Sequence, residues 1–137
     1  RVAGGDQTFA DLDAVRAYLA NRYSRLPADA VDRRAQFGYA AAEGGYRPLA
    51  DADAMMATST GLRADLAPYL DGIRVPTLLI RGADSKLVSP EAWRKSRALR
   101  PDIKAVELAG ADHYVPEEVP QAVATEVLSF WKSTRRT

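Results

Sequence analysis

The sequence contains no cysteine and only one histidine, His113. Without cysteine, neither a disulfide framework nor a thiolate metal site can form. A single histidine likewise cannot build a multi-histidine metal site. No apolar run approaches the roughly 18 residues that a membrane-spanning helix needs. The net charge of +1 gives no electrostatic reason to expect nucleic acid or an anionic membrane. We therefore expect no metal, no cofactor, no nucleic-acid partner and no membrane partner.

What the sequence does contain is enough apolar material for a packed core. Apolar residues make up 47% of its 137 residues, and charged residues make up 27%. The first residues, Arg1 to Asp6, contain neither a starting methionine nor a signal peptide and resemble the interior of a longer chain. We expect an N-terminal half of the same protein to be missing, cleaved off or supplied separately. The absence of cysteine and of targeting signals favours a cytoplasmic location.

Residues 1–61 have a helical and polar-rich texture. Thr8 is positioned to cap a first helix whose apolar side chains recur at helical spacing, and Pro27 is typical of the start of a second. A third, short helix should contain Met55 and Met56. We find no strong strand in this region, and three short helices bury little core. The segment is therefore predicted to be a helical lid rather than an independent domain.

Residues 62–137 alternate between helices and strands. Ser89, followed by Pro90, is a strong helix start, and Pro120 opens the last helix. The predicted order is a helix over 62–70, a strand over 77–80, a helix from 90 to about 99, a strand over 104–108 and a final helix. A parallel pair of strands joined by a helical crossover is the economical arrangement. The fold class is therefore α/β.

Two parallel strands do not make a stable sheet by themselves. Each has two edges that need hydrogen bonds, and parallel sheets need cover on both faces. The missing strands should come from the absent N-terminal half. Pairing of two identical chains through the open edge, to give a homodimer, is the alternative.

The chemistry is expected on the two loops that follow the strands, because ligands bind outside the carboxyl ends of parallel strands. Asp84 lies on the first loop, and His113 lies on the second. A histidine held by a carboxylate is the base half of a nucleophilic triad. A lone loop histidine is more often a surface residue, but the neighbouring acidic loop favours function.

The two loops resemble those of α/β-hydrolases. The strand and loop from Val75 to Pro90 are similar to the segment that carries the acid in this family, and Gly110-Ala-Asp-His113 is similar to the histidine loop. The resemblance is close over 62–137 and loose over 1–61, where such enzymes carry a helical lid. It implies the C-terminal part of an α/β-hydrolase fold, with parallel strands flanked by helices and preceded by the lid. It also implies His113 as general base and Asp84 as the orienting acid.

The chain departs from the family pattern at the acid and at the nucleophile. Many members place the acid three residues after the loop glycine, where this sequence has Ser85, so either Asp84 acts through a shifted loop or the acid lies elsewhere. Asp112 is a poor substitute because adjacent residues rarely present their side chains to each other. No Gly-x-Ser-x-Gly nucleophile elbow occurs, and the polar run 58–61 follows a helix. The missing half would supply the nucleophile and the oxyanion hole.

Three functions remain open at this stage. The favoured one is hydrolysis of an ester-like or related bond in an apolar or acyl small molecule, by an enzyme that this chain completes only in part. A substrate pocket would be lined by two methionines and two tyrosines, Met55, Met56, Tyr39 and Tyr46, although such side chains more often only pack. The second is a non-catalytic hydrolase-fold protein that binds a small ligand or a partner. The third is an interaction domain that dimerises through its sheet edge.

Overall fold

The computed structural model describes residues 7–135, and the chain divides after Ala64 into two compact units. The division lies three residues beyond the predicted boundary at Gly61, which is the last residue of a helix. Each unit has its own secondary structure. The first unit contains α1 (Leu12–Arg22), α2 (Ala28–Gly38), β1 (Tyr39–Ala42), β2 (Gly45–Pro48) and α3 (Ala52–Gly61).

Helix α1 begins after Asp11, whose carboxylate accepts a hydrogen bond from the backbone N–H of Ala14 at 2.8 Å. The predicted cap at Thr8 is therefore wrong, because Asp11 satisfies one of the unpaired donors of the first turn instead. Helix α2 follows Pro27, as predicted. The two helices pack through small and branched side chains, and the buried core of the unit consists of Phe9, Val15, Leu19, Val31 and Ala35.

An antiparallel hairpin follows α2, in a region for which no strong strand was predicted. Strands β1 and β2 pair in the register Tyr39 to Pro48 and Ala42 to Gly45. Gly44 and Gly45 form the turn with φ values of 80° and 135°, which residues other than glycine rarely adopt. The backbone of Phe9 bridges to Tyr46 on β2. A run of alanines lacks the β-branched pattern of strands, so tertiary contacts decide this hairpin.

The second unit contains α4 (Ala67–Gly72), β3 (Leu78–Gly82), α5 (Pro90–Leu99), β4 (Lys104–Leu108), α6 (Val115–Glu118) and α7 (Pro120–Thr134). Strands β3 and β4 are parallel, with Leu78 opposite Lys104 and Gly82 opposite Leu108. Helix α5 begins at the predicted cap, since Ser89 Oγ accepts from the N–H of Ala92 at 3.1 Å. The α/β class and the parallel crossover are confirmed.

Two predicted elements of this unit are corrected. The helix expected over 62–70 occupies Ala67–Gly72 instead. Pro68 has no N–H and is tolerated only in the first turn of a helix, so the helix cannot extend far ahead of it. The loop expected after Gly110 contains the single turn α6, which follows Tyr114. This turn lies next to His113 and matters for the site.

The second unit leaves apolar surface uncovered. Residues 78–80 of β3 are only half-buried, although their composition is typical of a strand covered on both faces. Helix α7 has no buried residue, and Trp131 and Leu128 are 57% and 52% exposed. Among residues 7–135 no helix combines the length and the apolar character needed to cross a lipid bilayer.

Candidate active site

The candidate site lies at the carboxyl ends of β3 and β4, where two loops meet. Backbone hydrogen bonds join the loops, from the N–H of Ala83 to the carbonyl of Leu108 at 2.9 Å and from Asp84 to Ala111 at 3.0 Å. Gly82 permits this approach. A Cβ at this position would lie 1.9 Å from the carbonyl oxygen of Asp112. The sequence placed both loops at one edge of a sheet, and the structure brings them into backbone contact.

Ser85 lies against the imidazole of His113. Its side-chain oxygen is 3.4 Å from Nδ1 of the ring, and Ser85 is 4% exposed. The same oxygen accepts a hydrogen bond from the N–H of Val88 at 3.2 Å, which closes the loop on itself. His113 is exposed, and its ring meets that of Tyr114 edge-on with centroids 5.4 Å apart. One ring nitrogen of His113 therefore faces the protein, and the imidazole is accessible.

The other carboxylates of the two loops occupy different places. Asp84, the predicted orienting acid, has an exposed side chain, while its backbone N–H is bound to Ala111. The side chain that the structure places at Nδ1 is the neighbouring Ser85. Asp112 is half-buried on the histidine loop. The position three residues after Gly82 thus faces His113, as the family pattern implies, but it carries a hydroxyl rather than a carboxylate.

A buried arginine holds the first loop in shape. Arg81 is 4% exposed and donates to the carbonyls of Val88 at 2.8 Å and Ser85 at 3.2 Å. It also pairs with Glu107 on the adjacent strand β4. The guanidinium therefore satisfies carbonyls that would otherwise lack donors, and it fixes the segment that presents Ser85. An arginine at the end of an apolar strand was the sequence signal that could have pointed to this role of Arg81. The partners of Arg81 could not be predicted, because they depend on the conformation of the loop.

The polar run 58–61, which was expected to follow a helix, lies inside α3 in the first unit. Hydroxyls of Thr58 and Thr60 donate to the carbonyls of Ala54 and Met56 within α3. These bonds are the local side-chain to backbone contacts that threonine makes inside helices. The structure thus gives this run no strand-to-helix elbow. The described part of the chain also holds no cluster of three side chains suited to a metal ion.

The first unit has a cleft of about 210 Å³. Of the four side chains predicted to line a pocket, Tyr39 and Met55 line this cleft and Met56 and Tyr46 do not. Partial burial raises the pKa of the Tyr39 phenol. Two arginines that the prediction did not include also line the cleft. Arg34 lies over the ring of Tyr23, with its guanidinium carbon 4.4 Å from the ring centre, and Arg22 lies 5.5 Å from it. The cleft is therefore aromatic and cationic rather than purely apolar.

Comparison with known proteins identifies the fold. No family model matches the sequence. The solved structures that match include a thioesterase domain from the curacin biosynthetic pathway, with 26% identity over 89% of this chain, 43% of that chain and a TM-score of 0.70. An esterase of Mycobacterium tuberculosis matches over 96% of this chain and 44% of its own, with a TM-score of 0.73 and 16% identity. The chain has the fold of the C-terminal part of an α/β-hydrolase.

One relative is much more similar. The 2-(acetamidomethylene)succinate hydrolase of Mesorhizobium japonicum is 48% identical over 130 residues, which are 95% of this chain and 47% of that protein. The crystal structure of E-2-(acetamidomethylene)succinate hydrolase superposes with a TM-score of 0.90 at 47% identity, over 93% of this chain and 48% of that one. The chain thus spans about half the length of these relatives.

Proposed function

We propose that this chain is the base-bearing part of an α/β-hydrolase, with His113 as the general base. The observation that carries the proposal is the accessible imidazole of His113, whose Nδ1 faces Ser85 at the carboxyl edge of two parallel strands. Ligands of such sheets bind at that edge. The identity of 48% with a hydrolase supports the assignment.

The proposed reaction divides the triad between this chain and another segment. A serine outside this chain transfers its proton to Nε2 of His113 as its oxygen attacks the acyl carbon of the substrate. Backbone donors of that other segment stabilise the oxyanion that forms. The protonated His113 then gives its proton to the leaving group, and water hydrolyses the acyl-enzyme in a second round of the same proton transfers. The role of this chain is to hold the imidazole and to move the proton.

Two assignments of the orienting acid follow from the geometry. Asp84 can act if the loop shifts by one position, because its side chain lies on the correct loop but is exposed. In the other assignment, the acid lies on the same segment as the nucleophile, outside this chain, and its carboxylate reaches Nδ1 beside Ser85. The contact of Ser85 with Nδ1 favours this assignment. Asp84→Asn separates them. If Asp84 is the triad acid, Asp84→Asn should lower kcat by about 10⁴-fold. We favour the other assignment and therefore expect the kcat of Asp84→Asn to remain close to that of the parent.

The proposed substrate class is a small acidic amide. The substrate named for the relative contains a succinate, with two carboxylates, and an acetamido group. This proposal narrows the apolar or acyl small molecule that the sequence leads us to expect. The complete enzyme should hydrolyse an acidic amide with a far higher kcat/KM than an uncharged ester, and equal values for the two would contradict the substrate class.

The test is His113→Gln in the enzyme that includes the nucleophile-bearing segment. Removing the base should lower kcat by at least about a thousandfold, with an unchanged unfolding temperature. A fluorophosphonate probe, which labels activated serines, should mark the other segment in the parent and label the variant much more slowly. Gln121→Ala, an exposed change on α7, is a matched control. Unchanged hydrolysis and labelling in His113→Gln would remove His113 from the mechanism.

The second candidate function is a hydrolase-fold protein that binds a ligand without turnover. A hydroxyl rather than a carboxylate at Nδ1 of His113 favours it, since a neutral partner stabilises an imidazolium less than a carboxylate does. This candidate predicts no fluorophosphonate labelling of any segment, and tight binding of an acidic amide that survives His113→Gln.

A further inference from the structure

Glu118 binds the backbone on both sides of His113. One oxygen of its carboxylate, Oε2, accepts from the N–H of Asp112 at 2.7 Å, and the other, Oε1, accepts from the N–H of Tyr114 at 3.1 Å. The two amides belong to the residues immediately before and after His113. A single side chain therefore spans the histidine, and the short distance to Asp112 is typical of a charge-assisted hydrogen bond.

The single turn α6 places Glu118 at this position. Tyr114 precedes the turn, and its carbonyl accepts from the backbone N–H of Glu118 at 2.9 Å, while its own N–H donates to the Glu118 side chain. Tyr114 and Glu118 are thus joined twice. The turn is anchored by Val115, which is 8% exposed, and the loop before His113 is anchored by the fully buried Ala111. The carboxylate closes a small ring between these two anchors.

The ring of His113 has few other restraints. Its side chain is exposed, and Ser85 contacts it at 3.4 Å, which is long for a hydrogen bond to a hydroxyl. The loop backbone fixes the direction in which the His113 side chain leaves the chain, and the contacts with Ser85 and with the ring of Tyr114 set the rotation of the imidazole. The loop backbone is in turn fixed by the bonds to Glu118 and by the contact of Asp84 N–H with Ala111. A general base needs this restraint, because its nitrogen must lie within hydrogen-bond reach of the proton it takes.

We propose that Glu118 is a positioning residue for His113, an inference that rests on the proposed function. It holds the histidine loop through both neighbouring amides and so sets where Nε2 points. We do not assign it as the orienting acid of a triad, because its oxygens accept the two backbone N–H groups and the side chain found at Nδ1 is that of Ser85. The sequence gives little indication of this role, because a glutamate five residues after a histidine contacts the histidine loop only when the turn α6 brings it back.

The test compares three variants of the complete enzyme. Glu118→Gln keeps the shape but replaces one acceptor with an N–H₂ group, Glu118→Ala removes both acceptors, and Glu117→Gln is the matched control on the same turn. Misplacement of a reacting group by about 1 Å can lower the rate about 100-fold. We expect a loss of that size in kcat for Glu118→Ala, a smaller loss for Glu118→Gln, little change in KM, and parent-like values for Glu117→Gln.

Nuclear magnetic resonance gives a readout that does not depend on activity. In the parent, the amides of Asp112 and Tyr114 should both be protected from hydrogen exchange, because each donates to the Glu118 carboxylate. In Glu118→Gln the two amide signals should move and their protection should fall, and the ring signal of His113, identified by its loss in His113→Gln, should broaden. An unchanged unfolding temperature would show that the fold persists.

The outcomes separate this proposal from the proposed function. If His113→Gln abolishes turnover while Glu118→Gln and Glu118→Ala leave kcat and the two amides unchanged, Glu118 has no positioning role and the function stands. If the amides respond to Glu118→Gln but His113→Gln leaves turnover intact, the contacts exist and the assigned function is wrong. A fall in kcat with unchanged amide signals and exchange would also overturn the positioning role.

Discussion

Ser85 and His113 are 28 residues apart in the chain, and the side-chain oxygen of Ser85 lies 3.4 Å from Nδ1 of His113. The contact crosses from the loop after β3 to the loop after β4. It occupies the place at which the family pattern implies a carboxylate.

The first prediction concerns the residue that faces Nδ1. Ser85→Asp combined with Asp84→Ala places a carboxylate directly beside the ring of His113. If the enzyme already receives an acid from another segment, the added charge should disturb that arrangement and lower kcat by about tenfold or more, since opposing carboxylates at one site repel each other. Steady-state kinetics on an acidic amide measure this, with Asp84→Ala alone as the control. A clear gain in activity would instead show that the native site lacks an acid.

The second prediction concerns Gly82, where the two loops touch. In Gly82→Ala the new methyl group would meet the carbonyl oxygens of Asp112 and Ala111, at 1.9 and 2.5 Å, and the backbone would have to move. We expect the free energy of unfolding to fall by about 1–3 kcal/mol, the usual range for overpacked sites, with loss of the contact between Ser85 and His113. Urea denaturation measures the first effect. Gly61→Ala, whose Cβ would meet no atom within 4 Å, is the matched control and should change stability little.

The third prediction concerns Arg81. Arg81→Met keeps an apolar stem but removes the donors to the carbonyls of Ser85 and Val88 and the partner of Glu107. Leaving such groups unsatisfied should lower the free energy of unfolding by about 2–4 kcal/mol, because each lost donor costs about 1–3 kcal/mol in a buried setting and Glu107 remains partly solvated.

Lys95→Met is the control for this change. It removes an ion pair between two exposed side chains, since Lys95 is 74% exposed and Glu91 is 62% exposed. Such exposed pairs contribute at most about 1 kcal/mol. Equal losses in the two variants, measured by chemical denaturation, would contradict a supporting role for Arg81.

The fourth prediction concerns the acid sensitivity of the second unit. The guanidinium of Arg100 binds the carboxylate of Asp102 through two nitrogens and lowers its pKa from 3.8 to about 2. Arg100 also donates to the carbonyls of Leu70 and Ile73 around the end of α4. Because the folded pKa is depressed, the pair stabilises the fold above pH 3.8, and this contribution is lost as the pH falls towards about 2.

Asp102→Asn should therefore be less stable than the parent at neutral pH, and the difference should shrink steadily between pH 4 and pH 2. Thermal unfolding of both proteins across this range measures it. A difference that stays constant with pH would show that the carboxylate charge of Asp102 does not stabilise the fold. A difference that grows as the pH falls would show the opposite sign of linkage.

Local signals predicted the second unit well and the first unit less well. Ser89 with Pro90 marked the start of α5, and the apolar strand and Gly82 marked the end of β3, because caps and buried strands leave patterns within a few residues. The hairpin of β1 and β2 escaped prediction because its alanines carry no strand pattern and because the bridge from Phe9 to Tyr46 joins residues far apart in the sequence. Propensity is a weak guide where tertiary contacts decide.

The candidate site followed the same division. His113 and the two loops could be placed from sequence, since strands that run parallel bring their carboxyl ends to one edge. The sequence could not tell which side chain of the first loop reaches the imidazole, because a shift of the loop by one residue exchanges Asp84 for Ser85. Glu118 was missed because its partners are backbone amides on a turn that the sequence did not reveal.

By itself, the sequence determined the class of this protein: an α/β chain with one histidine, no cysteine and two polar loops that follow two strands. These features depend on composition and on patterns of a few residues, which act before any long-range contact forms. Only the tertiary structure decided that Ser85 faces Nδ1, that Gly82 lets the loops meet, and that Glu118 spans His113. These relations depend on distances of a few ångströms between chain segments, and such distances are set by the packing of the whole unit.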